Sequence, residues 1–235
     1  MQNDELQRRF AALTAAHIAD GCIRANVLVR CAPSGIHAVS PGDRIAGRVS
    51  PARHVGSVDV FLEVFESASP GDVLVVDNDG RLDESCVGDL ATIEAQTAGL
   101  SAIVIWGLHR DTAEIRAIGL PVFSLGALPT GPQRLEPRHP DALISASVGE
   151  WTVGSNDVAF GDDDGVLFVP VARVEEVLAF AETIRNTERK QAEQIRNGVS
   201  LRSQVRFEDF LARRSTEPSL TLREHLRDVG GEIEV

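Results

Sequence analysis

The chain has 235 residues, with 23 basic and 35 acidic side chains, so its net charge is −12 at neutral pH. Nucleic-acid binding depends on neutralising phosphates, and a chain this acidic without a basic cluster is excluded from that class. No apolar run approaches the roughly 20 residues of a membrane-spanning helix. The first residues show no secretory signal pattern, so we expect a cytoplasmic protein with neither nucleic acid nor a membrane as partner.

Two scarce residue types restrict the possible chemistry. The cysteines Cys22, Cys31 and Cys86 are an odd set without a C-x-x-C pair, which indicates neither a disulfide framework nor a cysteine zinc site. Lys190 is the only lysine, and it lies in a polar segment whose glutamates favour its charged form. A Schiff-base enzyme needs a partly deprotonated amine, so carbonyl chemistry here would need a metal ion or an arginine.

Hydrophobic periodicity divides the chain into alternating helices and strands. The opening helix is predicted over 4–21, with Thr14 as an internal cap and Gly21 as its end. The further predicted elements, in chain order, are short strands at 36–39 and 44–49, a helix at 58–67, a strand at 72–77, a helix at 90–100, a strand at 101–106, a helix at 112–118, a strand at 122–125, strands at 143–148 and 166–171, and a long helix at 171–197. Strands that alternate with helices from 72 to 125 predict a parallel sheet with right-handed crossovers.

This order of elements predicts one α/β domain over residues 1–198. Residues 199–235 are predicted as a helical C-terminal extension that is too short to be an independent domain. Its two amphipathic segments can pack on their own body or on a neighbouring subunit, and periodicity does not choose between these.

Two carboxylates are predicted to lie beyond consecutive parallel strands, where open α/β sheets bind ligands. Gly88-Asp89-Leu90 follows the first strand and Arg110-Asp111 the second, each just ahead of a helix whose free N–H groups attract anions. Aspartate oxygens suit Mg²⁺ or Mn²⁺, and the planar guanidinium suits a carboxylate. The pattern therefore predicts a site where an anionic oxo acid is held against a metal ion.

Each of these residues also has a purely structural interpretation. Asp111-Thr-Ala-Glu114 matches a capping box, Asp89 can cap a helix that begins at Leu90, and Arg110 can be a surface residue. Only their combination after consecutive strands favours a functional interpretation.

Two other candidates are weaker. His109 is a possible proton carrier, but neighbouring residues of an extended segment point in opposite directions, so we expect it to face away from Arg110. The acidic segment 161–165 lacks the spaced ligands of a calcium loop and predicts a β-turn.

The spacing of Asp89, twenty residues and then Arg110-Asp111 resembles that of the metal-dependent pyruvate aldolases of the RraA-like family. Those enzymes act on 4-hydroxy-4-methyl-2-oxoglutarate and 4-carboxy-4-hydroxy-2-oxoadipate. Other segments that agree with the family are Thr14-Ala15 with Asp20, PGDVLVVD at 70–77, GDLATIEAQTAG at 88–99, PVF at 121–123 and GDDDGVLFVP at 161–170. The resemblance covers about residues 10–200.

The resemblance implies a swivelling β/β/α sandwich that assembles into trimers or hexamers, with active sites at subunit interfaces. It implies that Asp111 ligates Mg²⁺, or Mn²⁺, directly and that Asp89 holds a metal-bound water. Arg110 and the backbone N–H of Leu90 would bind the pyruvyl part of the substrate, and Glu188 would come from a neighbouring subunit.

The activity implied is a lyase that releases pyruvate from a small anionic 2-oxo acid, by aldol cleavage or by decarboxylation of oxaloacetate. The alternative is the function of the family's namesake, a non-catalytic regulator that inhibits a ribonuclease, which an acidic surface permits. The sequence departs from the aldolases at Trp106-Gly107, where the family commonly has Asp-Gly. It also lacks their asparagine near Val58-Asp59.

Overall fold

The computed structural model describes residues 1–229 and alternates strands and helices through most of that range. The strands are β1 (Arg30–Cys31), β2 (His37–Ala38), β3 (Ile45–Arg53), β4 (Val73–Asp77), β5 (Ser85–Val87), β6 (Ala102–Trp106), β7 (Leu108–His109), β8 (Val122–Ser124), β9 (Ser145–Val148), β10 (Trp151–Gly154), β11 (Asp157–Asp162) and β12 (Gly165–Pro170). The helices are α1 (Asn3–Phe10), α2 (Ala15–Arg24), α3 (Asp59–Ser67), α4 (Asp89–Thr97), α5 (Thr112–Ile118), α6 (Val174–Arg196), α7 (Leu201–Gln204), α8 (Phe207–Thr216) and α9 (Leu222–Val229).

The main sheet has eight strands in the order β1-β12-β11-β3-β4-β6-β8-β2. From β3 to β8 the strands are parallel, with Val75 opposite Val104 across β4 and β6. On the other side of β3 the strands β11, β12 and β1 are antiparallel. The parallel sheet predicted for 72–125 is therefore confirmed.

Apolar side chains fill both faces of this sheet. Helices α3, α4 and α5 pack on the parallel half, and Phe61, Ile103 and Ile115 lie in that core. Helices α1, α2 and α6 cover the antiparallel half. On the opposite face the β9–β10 hairpin packs against β3 and β4, so Val104 and Val153 share a third core. The layers are thus hairpin, sheet and helices, as expected for a β/β/α sandwich.

The predicted opening helix is in fact two helices, because the chain breaks before Thr14. The Thr14 hydroxyl accepts the His17 N–H, and Nδ1 of His17 accepts the Thr14 N–H, which together form a capping box for α2. The prediction that Gly21 ends the helix is wrong, since α2 continues to Arg24. A Cβ at Gly21 would lie 2.6 Å from the carbonyl oxygen of Val177, so this glycine lets α2 and α6 approach closely.

The acidic segment forms a β-turn as predicted, because β11 and β12 are joined there with Asp162 opposite Gly165. The Asp162 carboxylate accepts the Ala15 N–H at 2.8 Å. The sequence analysis does not predict the strands β1, β5, β7, β10 and β11.

The C-terminal extension is helical as predicted as far as residue 229, and its residues 230–235 lie outside the described range. Helix α7 packs against the end of α6, and α8 packs against α7. Val205, Phe210 and Leu226 are buried there, and His225 lies within hydrogen-bonding distance of the Val205 carbonyl, at 2.9 Å. Within residues 1–229, no helix combines the length and the apolar character that crossing a bilayer requires.

A Gly21→Ala substitution tests the close packing of α2 on α6. Alanine favours a helix over glycine by about 1 kcal/mol, but the added methyl group would clash with the Val177 carbonyl. We expect the free energy of unfolding to fall by about 1–3 kcal/mol, measured by chemical denaturation. Ala16→Gly, on the exposed face of α2, is the control for propensity alone. A stabilised Gly21→Ala variant would contradict the packing described.

Candidate functional site

A small two-stranded parallel ladder brings the predicted site residues together. β5 pairs with β7, and the backbone N–H of Arg110 donates to the carbonyl of Val87 at 2.9 Å. Both strands end at the same edge. Gly88 and Asp89 therefore become neighbours of Asp111, although about twenty residues separate them along the chain.

Asp111 precedes α5 but does not cap it. Its backbone is left-handed, with φ 58° and ψ 43°, and its side chain makes no hydrogen bond to that helix. Instead Oδ2 lies 3.3 Å from the backbone nitrogen of Asp89 and 3.5 Å from Nε of Arg110. The capping-box interpretation of Asp111 is therefore wrong, and its carboxylate faces the N-terminus of α4, whose dipole favours negative charge.

Gly88 is the residue that makes room for this carboxylate. A Cβ at this position would lie 2.3 Å from Asp111 Oδ2 and 3.2 Å from Nε of Arg110. Any side chain would thus displace Asp111. The missing side chain at Gly88 and the left-handed backbone at Asp111 hold one carboxylate in a fixed place.

Asp89 is the first residue of α4, one position earlier than predicted. Its Oδ1 accepts the N–H of Leu90 at 2.7 Å. The Leu90 N–H is therefore open to an anion only when the Asp89 side chain turns away. Arg110, whose side chain is 48% exposed, has Asp111 as its ion-pair partner, so its forked donors remain accessible.

Asp89, Leu90 and Arg110 border a cavity of about 430 Å³ between α3 and α4, within the size range of small-molecule sites. Gly88, Asp89 and Arg110 line one end. The other end is apolar, with Phe61, Leu62 and others from the two helices. Sequence analysis missed this apolar end, because its residues follow the ordinary helical pattern of a core face.

The donor set fits a hard divalent cation. Among residues 1–229, no cluster of three or more His, Cys, Asp or Glu side chains is arranged to hold a metal ion. Among the described residues, Asp111 and Asp89 supply carboxylates next to the N-terminus of α4. Mg²⁺ and Mn²⁺ need few protein ligands because they keep several waters, whereas structural zinc needs four.

Glu188 lies elsewhere in its own chain. Its carboxylate is 2.9 Å from Nε2 of His17 on α2. Since Nδ1 of His17 accepts the Thr14 N–H, the proton is on Nε2 and is donated to Glu188. The contribution of Glu188 from a neighbouring subunit stays a prediction.

His109 faces away from the cavity. Nδ1 lies 2.7 Å from the Ser124 hydroxyl and Nε2 3.0 Å from the Thr112 hydroxyl, and the ring is buried. Burial lowers the pKa of His109 below its usual value. A neutral imidazole with both nitrogens paired anchors β7 and α5 rather than carrying protons.

Comparison with known proteins identifies relatives over most of the chain. A family model described as RraA-like, Aldolase/RraA, matches residues 15–168. A protein of Halalkalibacterium halodurans named as a putative 4-hydroxy-4-methyl-2-oxoglutarate aldolase is 30% identical over 149 residues, which are 62% of this chain and 69% of that one. Protein DlpA of Legionella pneumophila is 33% identical over 130 residues, 55% of this chain, but this match spans only 21% of DlpA.

The fold is shared with a solved structure from Streptomyces coelicolor. That protein is RraAS2, described as an unusual member of the RNase ES inhibitor RraA protein family. It superposes with a TM-score of 0.72 at 26% identity and covers 83% of this chain and 100% of its own. The predicted fold class is therefore confirmed.

An Asp111→Gly substitution tests whether the left-handed backbone of Asp111 lowers the stability of the fold. Glycine adopts the left-handed backbone without strain, and the Asp111 side chain does not cap α5. We expect the free energy of unfolding to rise by about 1 kcal/mol, measured by denaturation. Asp79→Gly, at another left-handed position with φ 58°, is the matched control for backbone relief. A large destabilisation confined to Asp111→Gly would show that the carboxylate instead holds the fold together.

Proposed function

The chain belongs to the RraA-like family, and on that footing we propose that it is a divalent-metal-dependent lyase that releases pyruvate from a small anionic 2-oxo acid. The observation that carries the proposal is the meeting of Asp111 with Asp89 and Arg110, two residues that line a cavity. The putative aldolase from H. halodurans supports it. Aldol cleavage of a 4-hydroxy-4-methyl-2-oxoglutarate-type substrate and decarboxylation of oxaloacetate are the two reactions proposed, because both leave the same pyruvate fragment.

In this proposal Asp111 would hold Mg²⁺ or Mn²⁺ directly, and Asp89 would hold it through a water. When bound, such a cation supplies Lewis-acid stabilisation of the negative charge that develops on the keto oxygen of the pyruvyl fragment. Gly88 leaves the space that the Asp111 carboxylate needs.

Arg110 binds the carboxylate of the oxo acid. Its guanidinium lines the cavity, and its planar fork matches the two oxygens of that group. The N–H of Leu90 is the second donor. This N–H now donates to the Asp89 carboxylate at 2.7 Å, so it can bind the substrate once that side chain rotates away.

A water held by the Asp89 carboxylate accepts the proton of the C4 hydroxyl as the C3–C4 bond breaks. Returning a proton to C3 completes pyruvate, so the proton balance closes without a redox partner. Among the described residues that line the cavity there is no lysine, and Lys190 lies exposed on α6. A Schiff base is therefore not part of the mechanism.

The proposal extends to a homo-oligomer, a trimer or a hexamer, in which Glu188 of a neighbouring copy approaches the site. This extension follows from the family resemblance.

A second candidate function is inhibition of a ribonuclease by direct binding. The observation that favours it is the likeness to RraAS2 over 83% of this chain. Such a function would not need the Asp111 carboxylate. Capture of a purified ribonuclease by both the parent protein and Asp111→Ala, with no pyruvate formed, would select this alternative.

Asp111→Ala is the variant that tests the lyase directly. With oxaloacetate and Mg²⁺ as the starting assay, we expect its rate of enzymatic pyruvate release to fall at least about 100-fold, because a ligand of the cation is lost. Calorimetry with Mn²⁺ should show the matching loss of metal affinity. Asp83→Ala, at an exposed carboxylate outside the cavity, is the control and should keep both. Full turnover by Asp111→Ala, or turnover of the parent unaffected by a chelator, would reject the mechanism.

A further inference from the structure

Beyond Arg110 and its polar neighbours, the cavity is lined mainly by apolar side chains of two helices. Val58, Phe61 and Leu62 come from the start of α3, and Ala91 and Ile93 come from α4. A pyruvyl group held by Arg110 fills one end, so whatever the substrate carries beyond its C4 carbon must lie against these residues.

The charges that line the cavity do not provide for a second carboxylate. Asp89, Glu94 and Arg110 are the charged residues of the lining. Arg110 is the basic one, and the pyruvyl carboxylate uses it. A distal carboxylate would therefore be desolvated against apolar carbon and repelled by Glu94, and the described lining of this chain offers it no second basic side chain.

The apolar wall is preformed rather than adaptable. The Phe61 side chain is 1% exposed and stacks on the ring of His54, with 5.2 Å between ring centroids and 12° between planes. His54 is itself buried, and its Nδ1 lies 2.9 Å from Oδ1 of Asn78. Burial lowers the pKa of His54 below its usual value, so the ring behind Phe61 stays neutral.

The lip of the cavity exposes apolar carbon that a ligand would cover. Val58 and Leu62 are each 55% exposed and Ile93 is 45% exposed. Because they are continuous with the end that holds Arg110, an occupant anchored there by a carboxylate would bury them.

We propose that the substrate of this site is a 4-hydroxy-2-oxo acid whose C4 carbon carries an apolar alkyl or aryl group rather than a second carboxylate. This inference rests on the proposed lyase function, and it replaces the dicarboxylate of the 4-hydroxy-4-methyl-2-oxoglutarate type with an apolar class of aldol substrate. In the reaction the C3–C4 bond breaks with its electron pair left on C3. The C4 hydroxyl loses its proton as it becomes the carbonyl of an apolar aldehyde or ketone, and C3 takes up a proton to give pyruvate.

The first test is binding of two uncleavable analogues in the presence of Mg²⁺. Both 2-oxo-4-phenylbutanoate and 2-oxoglutarate have the 2-oxo acid end and lack the C4 hydroxyl. They differ in a phenyl group against a carboxylate. By calorimetry we expect the phenyl compound to bind at least tenfold more tightly.

The second test is cleavage of the matching substrates. We expect 4-hydroxy-2-oxo-4-phenylbutanoate, which yields pyruvate and benzaldehyde, to have a kcat/KM at least tenfold above that of 4-hydroxy-2-oxoglutarate. Leu62→Arg places a cation at the lip and should reduce this preference at least fivefold. Leu82→Arg makes the same change at a residue that is 66% exposed and outside the lining, and it should leave the preference unchanged.

Oxaloacetate decarboxylation needs only the pyruvyl end of the cavity, so it tests the lyase function separately from the apolar substrate class. Pyruvate from oxaloacetate together with equal or tighter binding of 2-oxoglutarate would overturn this inference and leave the lyase intact. No pyruvate from any of the three substrates would overturn the lyase and this inference with it. If Leu62→Arg changes the oligomeric state in size-exclusion chromatography while the substrate preference stays as in the parent, the lip is covered by a second copy and the inference is wrong.

Discussion

The site depends on one short stretch of parallel pairing. β5 has three residues and β7 has two, and with the hydrogen bond from Arg110 N–H to the Val87 carbonyl they join two segments that the main sheet alone would leave apart. Gly107 makes this possible. Its φ is 156°, and a Cβ there would lie 2.9 Å from Cβ of Asn78, so only glycine lets the chain leave β6 and enter β7 at once. The buried strands β4 and β6 fix where this turn begins.

Placement of the Asp111 carboxylate breaks two local rules at once. A non-glycine residue occupies a left-handed backbone, and a residue in the capping position gives its helix no cap. Both unfavourable choices are offset elsewhere, by the buried strands and by the paired His109 beneath the site. Asn26, Asp79 and Arg206 are left-handed as well, so it is the carboxylate beside Arg110, together with the strained backbone, that is typical of a functional position.

How much the sequence predicts follows from the strength of each local pattern. The strand at 72–77 and the helix at 112–118 are predicted closely, because the first is a run of apolar residues and the second ends at Gly119. β5 and β7 are too short for any periodicity to reveal them. Gly21 was misjudged because a glycine that ends a helix and one that admits a neighbouring helix look alike in sequence. The polar end of the cavity was found through spacing, whereas the apolar end required knowing which faces of α3 and α4 meet.

The negative charges around the cavity explain why Arg110 alone does not suffice to bind an anionic substrate at the polar end. Asp111 lies against the guanidinium of Arg110, and Asp89 and Glu94 line the same cavity, in a chain whose net charge is already −12. On Coulomb's law alone, such a surface repels an anionic substrate. A divalent cation held by Asp111 and Asp89 would reverse the local sign where the oxo acid must bind. The apolar end, where no cation offsets Glu94, would remain suited to an uncharged group. The charges around the cavity thus explain both why the polar end needs a cation and why the apolar end suits an uncharged group.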